Sequence, residues 1–404
     1  MRGIIAACLV SILAMTCVRV LAESSPDWPQ YRGPSRDGAA SAAKAPSWPD
    51  GGPRVVWRQP LGAAFSQLVV GGGAVFTGTS DDKSEYLVRL DAATGKEAWR
   101  LALGPVFENA EFGNGPRSTP TLDGETVYQL GARGTLVAAR AADGGEVFRV
   151  DLTQRFGAAV PRFGYSGSPL VTGDLLVLEV GGGEQGWLAA LDKKTGETRW
   201  TSGKGGAGYN SPMLLRAGKA EELLLVHGKN VVGLDLAGRE LWSHALEDGA
   251  VAMPLVVGAD RLFVSHGSDA GCEMLGLERG EGGTQVKTLW QNRNMRNHFN
   301  SSVLVGEHIY GFDNATLKCL SAATGELAWA HRGLGKGSLL GAGNRLVVVS
   351  DQGAVLLVEA TPEAYRELGS LTALSGKSWT APSFARGRLY VRNLTEAACL
   401  DFGG

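Results

Sequence analysis

The sequence predicts an all-β fold, an eight-bladed β-propeller of four-stranded antiparallel blades, and three observations predict it. Glycine numbers 58 and proline 16 in 404 residues, about 18% together against a usual ~12%. That composition disfavours long helices and suits many short strands joined by turns. One pattern also recurs along the chain: an alternating apolar strand ending in Leu-Asp, a short turn with glycine, then a strand carrying tryptophan. Finally, the position before the aspartate falls at Leu90, Arg140, Leu191, Leu234, Leu277, Leu320, Val358 and Leu400. Its intervals of 50, 51, 43, 43, 43, 38 and 42 residues lie near the ~40–50 typical of propeller blades.

Taken in order, residues 1–22 begin with Arg2, continue through an apolar run from Ile4 to Met15, and end Val20-Leu21-Ala22. This is the pattern of a secretory signal, and it leaves 23–50 as an N-terminal extension and 51–404 as the propeller. Thr16, not a small Gly, Ala or Ser, precedes Cys17, so a lipid anchor is not expected. No later segment is apolar enough to span a membrane. The expected location is the periplasm or cell envelope, or outside the cell.

Gly51 to Gly62, "GGPRVVWRQPLG", carries a tryptophan strand with Trp57 but no strand before it. Seven units follow. They read "RLDAATGKEAW" to Trp99, "ARAADGGEVF" to Phe148, "ALDKKTGETRW" to Trp200, "GLDLAGRELW" to Trp242, "GLERGEGGTQVKTLW" to Trp290, "CLSAATGELAW" to Trp329 and "LVEATPEAYREL" to Leu368. The eighth anchor, Leu400, is followed only by 401–404, so its blade lacks an outer strand. Pairing Gly51 to Gly62 there closes the ring and removes an open sheet edge.

A residue that every blade needs is packing, not chemistry; this covers Trp57, Trp99, Trp200, Trp242, Trp290 and Trp329. Asp91, Asp192 and Asp235 are turn residues, because aspartate hydrogen-bonds the backbone two residues on. Cys272, Cys319 and Cys399 form neither an adjacent pair nor a CxxC. Neither a disulfide scaffold nor a zinc site is expected.

Chemistry belongs to the loops joining one blade's outer strand to the next blade's inner strand, which a propeller gathers around its channel mouth. These loops carry Arg117, Arg155, Arg162, Lys204, Arg293, Arg296, Arg332, Lys336 and Lys377 against Glu108, Glu111, Glu247 and Asp248. The whole chain has 39 Lys plus Arg and 41 Asp plus Glu, a net charge of -2, which argues against a nucleic-acid or membrane-surface binder. The local excess instead predicts a cationic rim of Arg117, Arg162, Arg296 and Lys336 facing an anionic ligand or acidic segment. Phe163, Tyr165, Tyr209, Asn210, Asn297, His298, Phe299, Asn300 and Trp379 interleave with it, and of these Tyr165, Tyr209, Asn210, His298, Asn300 and Trp379 are candidate ligand-binding residues. Ser-Pro and Ser/Thr-x-Pro before the inner strands read as turn chemistry. No catalytic triad, phosphate loop or carboxylate pair can be placed, and no catalytic residue or metal ligand is assigned.

The motif Asp-x-x-Thr-Gly-x-x-x-Trp, complete in "DAATGKEAW" and "DKKTGETRW", resembles the tryptophan-docking repeat of the quinoprotein alcohol dehydrogenase-like superfamily. "DWPQYRGPSRDG", Asp27 to Gly38, is similar to the start of many secreted pyrroloquinoline quinone (PQQ)-like repeat proteins. The resemblance implies a PQQ-like propeller and leaves two branches: PQQ-dependent dehydrogenases and non-catalytic BamB-like scaffolds. Dehydrogenases of the first branch hold PQQ with Ca²⁺ through Glu and Asn or Asp, and the alcohol dehydrogenases stack it on a disulfide of adjacent cysteines. The missing cysteine pair and the scarce loop carboxylates disfavour PQQ with Ca²⁺ here. The expectation is a monomeric, exported, non-catalytic propeller that binds a protein or other extended envelope ligand. A quinone-dependent dehydrogenase and a carbohydrate-binding or hydrolytic propeller are the alternatives.

Overall fold

The computed structural model describes residues 27–40, 45–217 and 220–403; residues 1–22, expected to be a secretory signal, lie outside them. Eight four-stranded antiparallel blades span 69–105, 121–151, 170–202, 213–245, 255–292, 303–332, 338–372 and 383–401, the last completed by Arg54–Pro60. Among the described residues one short helix, Leu152–Phe156, is capped by Asp151, whose carboxylate accepts the amides of Thr153 and Gln154. The ring closes as expected. Arg54–Pro60 pairs antiparallel with Glu396–Asp401, from Arg54 opposite Asp401 to Pro60 opposite Glu396.

Each blade's outer strand pair carries a one-residue bulge just before the aromatic position. A bulge strengthens the local twist and re-aims side chains. In most blades it turns the tryptophan toward the next blade; the Trp242 indole instead donates to Glu222 Oε2 of its own blade. The Trp57, Trp99, Trp200, Trp290 and Trp329 indoles donate to the carbonyls of Ala92, Ala141, Leu236, Ala322 and Thr361 respectively. Trp57 also lies against Gly95, whose φ of +72° admits few other residues and where a Cβ would meet the ring at 2.7 Å. Asp91, Asp192 and Asp235 each accept backbone amides of their own turns.

Blade 7 departs from the repeat in an instructive way. Its bulge falls at Leu368, so Gly369 stands in the aromatic register, and Leu368 is exposed. Trp48 fills the vacancy: a Cβ on Gly369 would lie 2.3 Å from its ring, which packs edge-on to Phe402 at 6.0 Å. The N-terminal extension thus supplies an aromatic that the repeat lacks.

The rest of the extension crosses the channel. Trp28 pairs with Val70, the amide of Leu122 donates to Pro29, and Ala39–Ala40 runs parallel to Gly341 and Ala342. Val70 and Ala342 adjoin the turns that end the inner strands, so this segment enters from the face opposite the inter-blade loops. Arg32 and Arg36, both with φ near +60°, send buried guanidiniums into the axis. Arg36 donates to the carbonyls of Ser168, Pro169 and Pro212, and Arg32 to those of Ser301 and Ser302. Fork-shaped guanidiniums suit these carbonyls, which lie just before the inner strands and outside their ladders.

Candidate functional site

Above the crossing segment the inter-blade loops enclose a cavity of about 280 Å³. Six of these loops contribute an aromatic residue: Phe65, Phe112, Phe163, Tyr209, Phe299 and Trp379. The rings touch in sequence around the mouth, with Tyr209 to Phe163 at 5.8 Å, Phe163 to Phe112 at 5.4 Å, Phe112 to Trp379 at 6.1 Å and Trp379 to Phe299 at 4.9 Å. Tyr31 of the crossing segment reaches the same cavity from below, so the funnel is floored.

The wall beneath the rings is held by an inter-blade hydroxyl belt. The amide of Gln67 donates to Thr119 Oγ1, that of Thr119 to Ser168 Oγ, that of Ser168 to Ser211 Oγ, and that of Met253 to Ser301 Oγ, all at 2.9–3.0 Å. The recurring Ser/Thr beside proline therefore joins blades, beyond any role in its own turn. Ser168 and Ser211 also line the cavity.

None of the lining residues is an aspartate or glutamate. Arg117 is the cation of the wall. Its guanidinium lies between Phe65 and Phe107, 5.4 and 4.8 Å from their centroids, and donates to the carbonyls of Phe163, Gly113 and Gly115. Burial pulls its pKa down to about 10, against the opposing charge of Glu85. The oxygens of Glu85 already accept the amides of Phe107 and Ala132, and burial raises its pKa. Arg162 sits over Phe163 at 4.9 Å, and Lys377 over Trp379 at 4.4 Å. Lys336 lies 3.4 Å from His298, whose pKa burial and that ammonium both lower, so its imidazole is neutral at neutral pH.

Of the residues singled out from sequence, Arg117, Tyr209, His298, Asn300 and Trp379 line the cavity, while Arg162 and Lys336 flank it through Phe163 and His298. Three are engaged elsewhere. Tyr165 is buried with its hydroxyl on the Val180 carbonyl. Asn210 is buried and donates to the carbonyls of Val251 and Ala252, tying two loops together. Arg296 is bound by Asp313 at 2.7 Å and Asp269 at 2.9 Å, which hold its pKa above the ordinary arginine value. Those aspartates come from other segments of the same face, which a count over the inter-blade loops omits. Arg296→Glu is accordingly expected to cost about 2 kcal/mol, from like charges beside a nearly buried Asp313, while Lys336→Glu stays within about 0.5 kcal/mol. Chemical denaturation of both variants measures the difference. In the sequence Phe163 and Phe299 stand among the loop aromatics without being ligand-binding candidates, and Phe65, Phe112 and Tyr31 are not singled out; an aromatic in most of the inter-blade loops is the signal the sequence offers for them.

A family model described as outer membrane protein assembly factor BamB matches residues 83–331. No curated protein matches the chain. Among solved structures, BamB from Moraxella catarrhalis is 17% identical, with 86% of this chain and 99% of that one covered and a TM-score of 0.62. Quinohemoprotein alcohol dehydrogenase from Comamonas testosteroni is 14% identical, over 94% and 81% of the two chains, with a TM-score of 0.67. A europium-containing methanol dehydrogenase is 12% identical over 90% and 89%, with a TM-score of 0.64. At these identities the structures establish a shared fold, and both branches appear among them.

Proposed function

The chain belongs to the family of the outer membrane protein assembly factor BamB, and from that premise we propose that it is an exported, non-catalytic binding propeller whose loop face receives a protein of the cell envelope. The observation that carries this reading is the floored, aromatic-walled funnel without a carboxylate. Burial of aromatic surface in a pocket is the usual source of binding energy at protein interfaces, whereas acid–base turnover needs a base oriented against the substrate, and His298, the histidine of the wall, has the Lys336 ammonium beside it and, among the described residues, no carboxylate to orient it.

The residues present do not fit PQQ with Ca²⁺. Calcium takes six to eight oxygens with carboxylates prominent among them, and the funnel offers none from Asp or Glu. Cys272, Cys319 and Cys399 lie buried in blades 5, 6 and 8, so no adjacent pair can provide a stacking disulfide. No reaction step is assigned to the site.

Two measurements test the reading. After incubation with PQQ and Ca²⁺ the protein is expected to show no alcohol- or sugar-dependent dye reduction; sustained substrate-dependent turnover would overturn the non-catalytic assignment. A photo-crosslinking residue at Phe163 or Lys336 should capture an envelope protein in cells, and one at Leu289, on an exposed outer strand, should not. Adducts from Leu289 alone would move the interface to the blade sides.

A further inference from the structure

We propose that the funnel takes one aromatic side chain from an acidic, extended segment of the partner polypeptide, an inference that rests on the binding reading above. Charge leads to it. Arg32, Arg36 and Arg392 are buried, Arg117 is largely so, and among the described residues none of the four makes an ion pair, although the charges of Asp37 and Glu85 act on Arg32 and Arg117 from a greater distance. Every hydrogen bond they donate ends on a carbonyl, hydroxyl or amide oxygen. Neutral oxygens solvate such charges without cancelling them, and low-dielectric walls focus the remaining field along the axis. Arg162, Lys336 and Lys377 add exposed or half-buried cations around the mouth. A chain of net charge -2 therefore presents a positive funnel.

Size and shape select the anchor. About 280 Å³ lies at the lower edge of the ~300–1,000 Å³ range of ligand-sized pockets, room for an aromatic side chain together with part of the segment that carries it. Four of the wall contacts meet at interplanar angles of 42–71° and Phe65 lies more nearly parallel to Trp379, at 29°, so the wall offers both edges and faces against which a further aromatic ring packs well. A sugar would need, besides an aromatic face, free amide or acid groups for its hydroxyls. Here the Gln67 amide is spent on the Arg32 amide and the Pro382 carbonyl, and Asn300 donates to Gly337. With an aromatic ring seated, acidic residues on either side of it would lie over Arg162, Lys336 and Lys377.

Fluorescence anisotropy of the exported protein with labelled heptapeptides tests this, using a central Phe flanked by Asp and Glu, the same peptide with Ala for Phe, and a Lys-flanked Phe peptide. Saturable binding of the first is expected, weakened at least about tenfold by the Ala exchange and by Phe163→Ala or Trp379→Ala in variants that keep the parent melting transition. The Lys-flanked peptide should not bind. Affinity should fall severalfold between about 50 and 300 mM salt, and this slope should flatten in Arg162→Glu with Lys336→Glu. Equal binding of the Ala or Lys-flanked peptide, no saturable binding by about 1 mM, or displacement by an acidic oligosaccharide in place of peptide would overturn the proposal. Crosslinks from Phe163 in cells without binding of the acidic Phe peptide would sink the anchor chemistry while leaving the loop-face interface standing.

Discussion

Deleting residues 51–62 is expected to abolish the cooperative melting transition or lower it by more than about 10 °C. The deletion removes the outer strand of blade 8 with its whole register against Glu396–Asp401. It also removes Trp57, which is buried against Gly95 and donates to Ala92 of blade 1, so the contact joining last blade to first is lost with it. Loss of a buried tryptophan alone costs about 3–5 kcal/mol, and the exposed Glu396–Asp401 edge would invite aggregation. Deletion of 378–404, which takes the other three strands of the same blade, should be as severe. Circular dichroism and light scattering on heating measure both. An unchanged transition after the N-terminal deletion would show that blade 8 is stable without its fourth strand.

Arg36→Ala should be among the most damaging single substitutions in the extension. Its guanidinium is fully buried and reaches the carbonyls of Ser168, Pro169 and Pro212 and the hydroxyl of Thr121. Each buried acceptor left unpaired costs about 1–3 kcal/mol, so a loss of about 3–5 kcal/mol is expected. Arg36→Lys should restore little, since an ammonium cannot fork across three carbonyls. Arg386→Ala is the control: its partner Asp27 is 2.8 Å away, but Arg386 is half exposed, and the change should fall within about 0.5 kcal/mol. Limited proteolysis should find 27–40 newly cleavable in Arg36→Ala alone. Equal protection in both variants would mean that Trp28 and Ala39–Ala40 hold the segment without the arginine.

Both experiments concern the N-terminal region, and its two halves were unequally legible. Trp57 was visible because it stands in a strand of the repeat's own type, and a blade short of one strand asked for it. Arg36 sits in "DWPQYRGPSRDG", a segment with no periodicity, where sequence offered a family resemblance and no partner. The site divided in the same manner. Convergence of the inter-blade loops followed from the blade count alone, so Arg117, Tyr209, His298, Asn300 and Trp379 could be gathered in advance.

The sequence by itself determined the blade number, the closure, the turn aspartates and the aromatic spacing, because each is carried by a local period of strand, turn and strand that repeats about every 44 residues. Only the tertiary structure decided which loop residues are free. Tyr165 and Asn210 turn inward, Asp269 and Asp313 neutralise Arg296, Trp48 replaces the aromatic missing at Gly369, and the crossing segment floors the funnel with Tyr31. Most of these contacts join stretches that no repeat relates, and their geometry is set when blades pack around an axis. A hydrogen bond or ion pair depends on distances below about 4 Å, which a periodic pattern read along the chain does not encode.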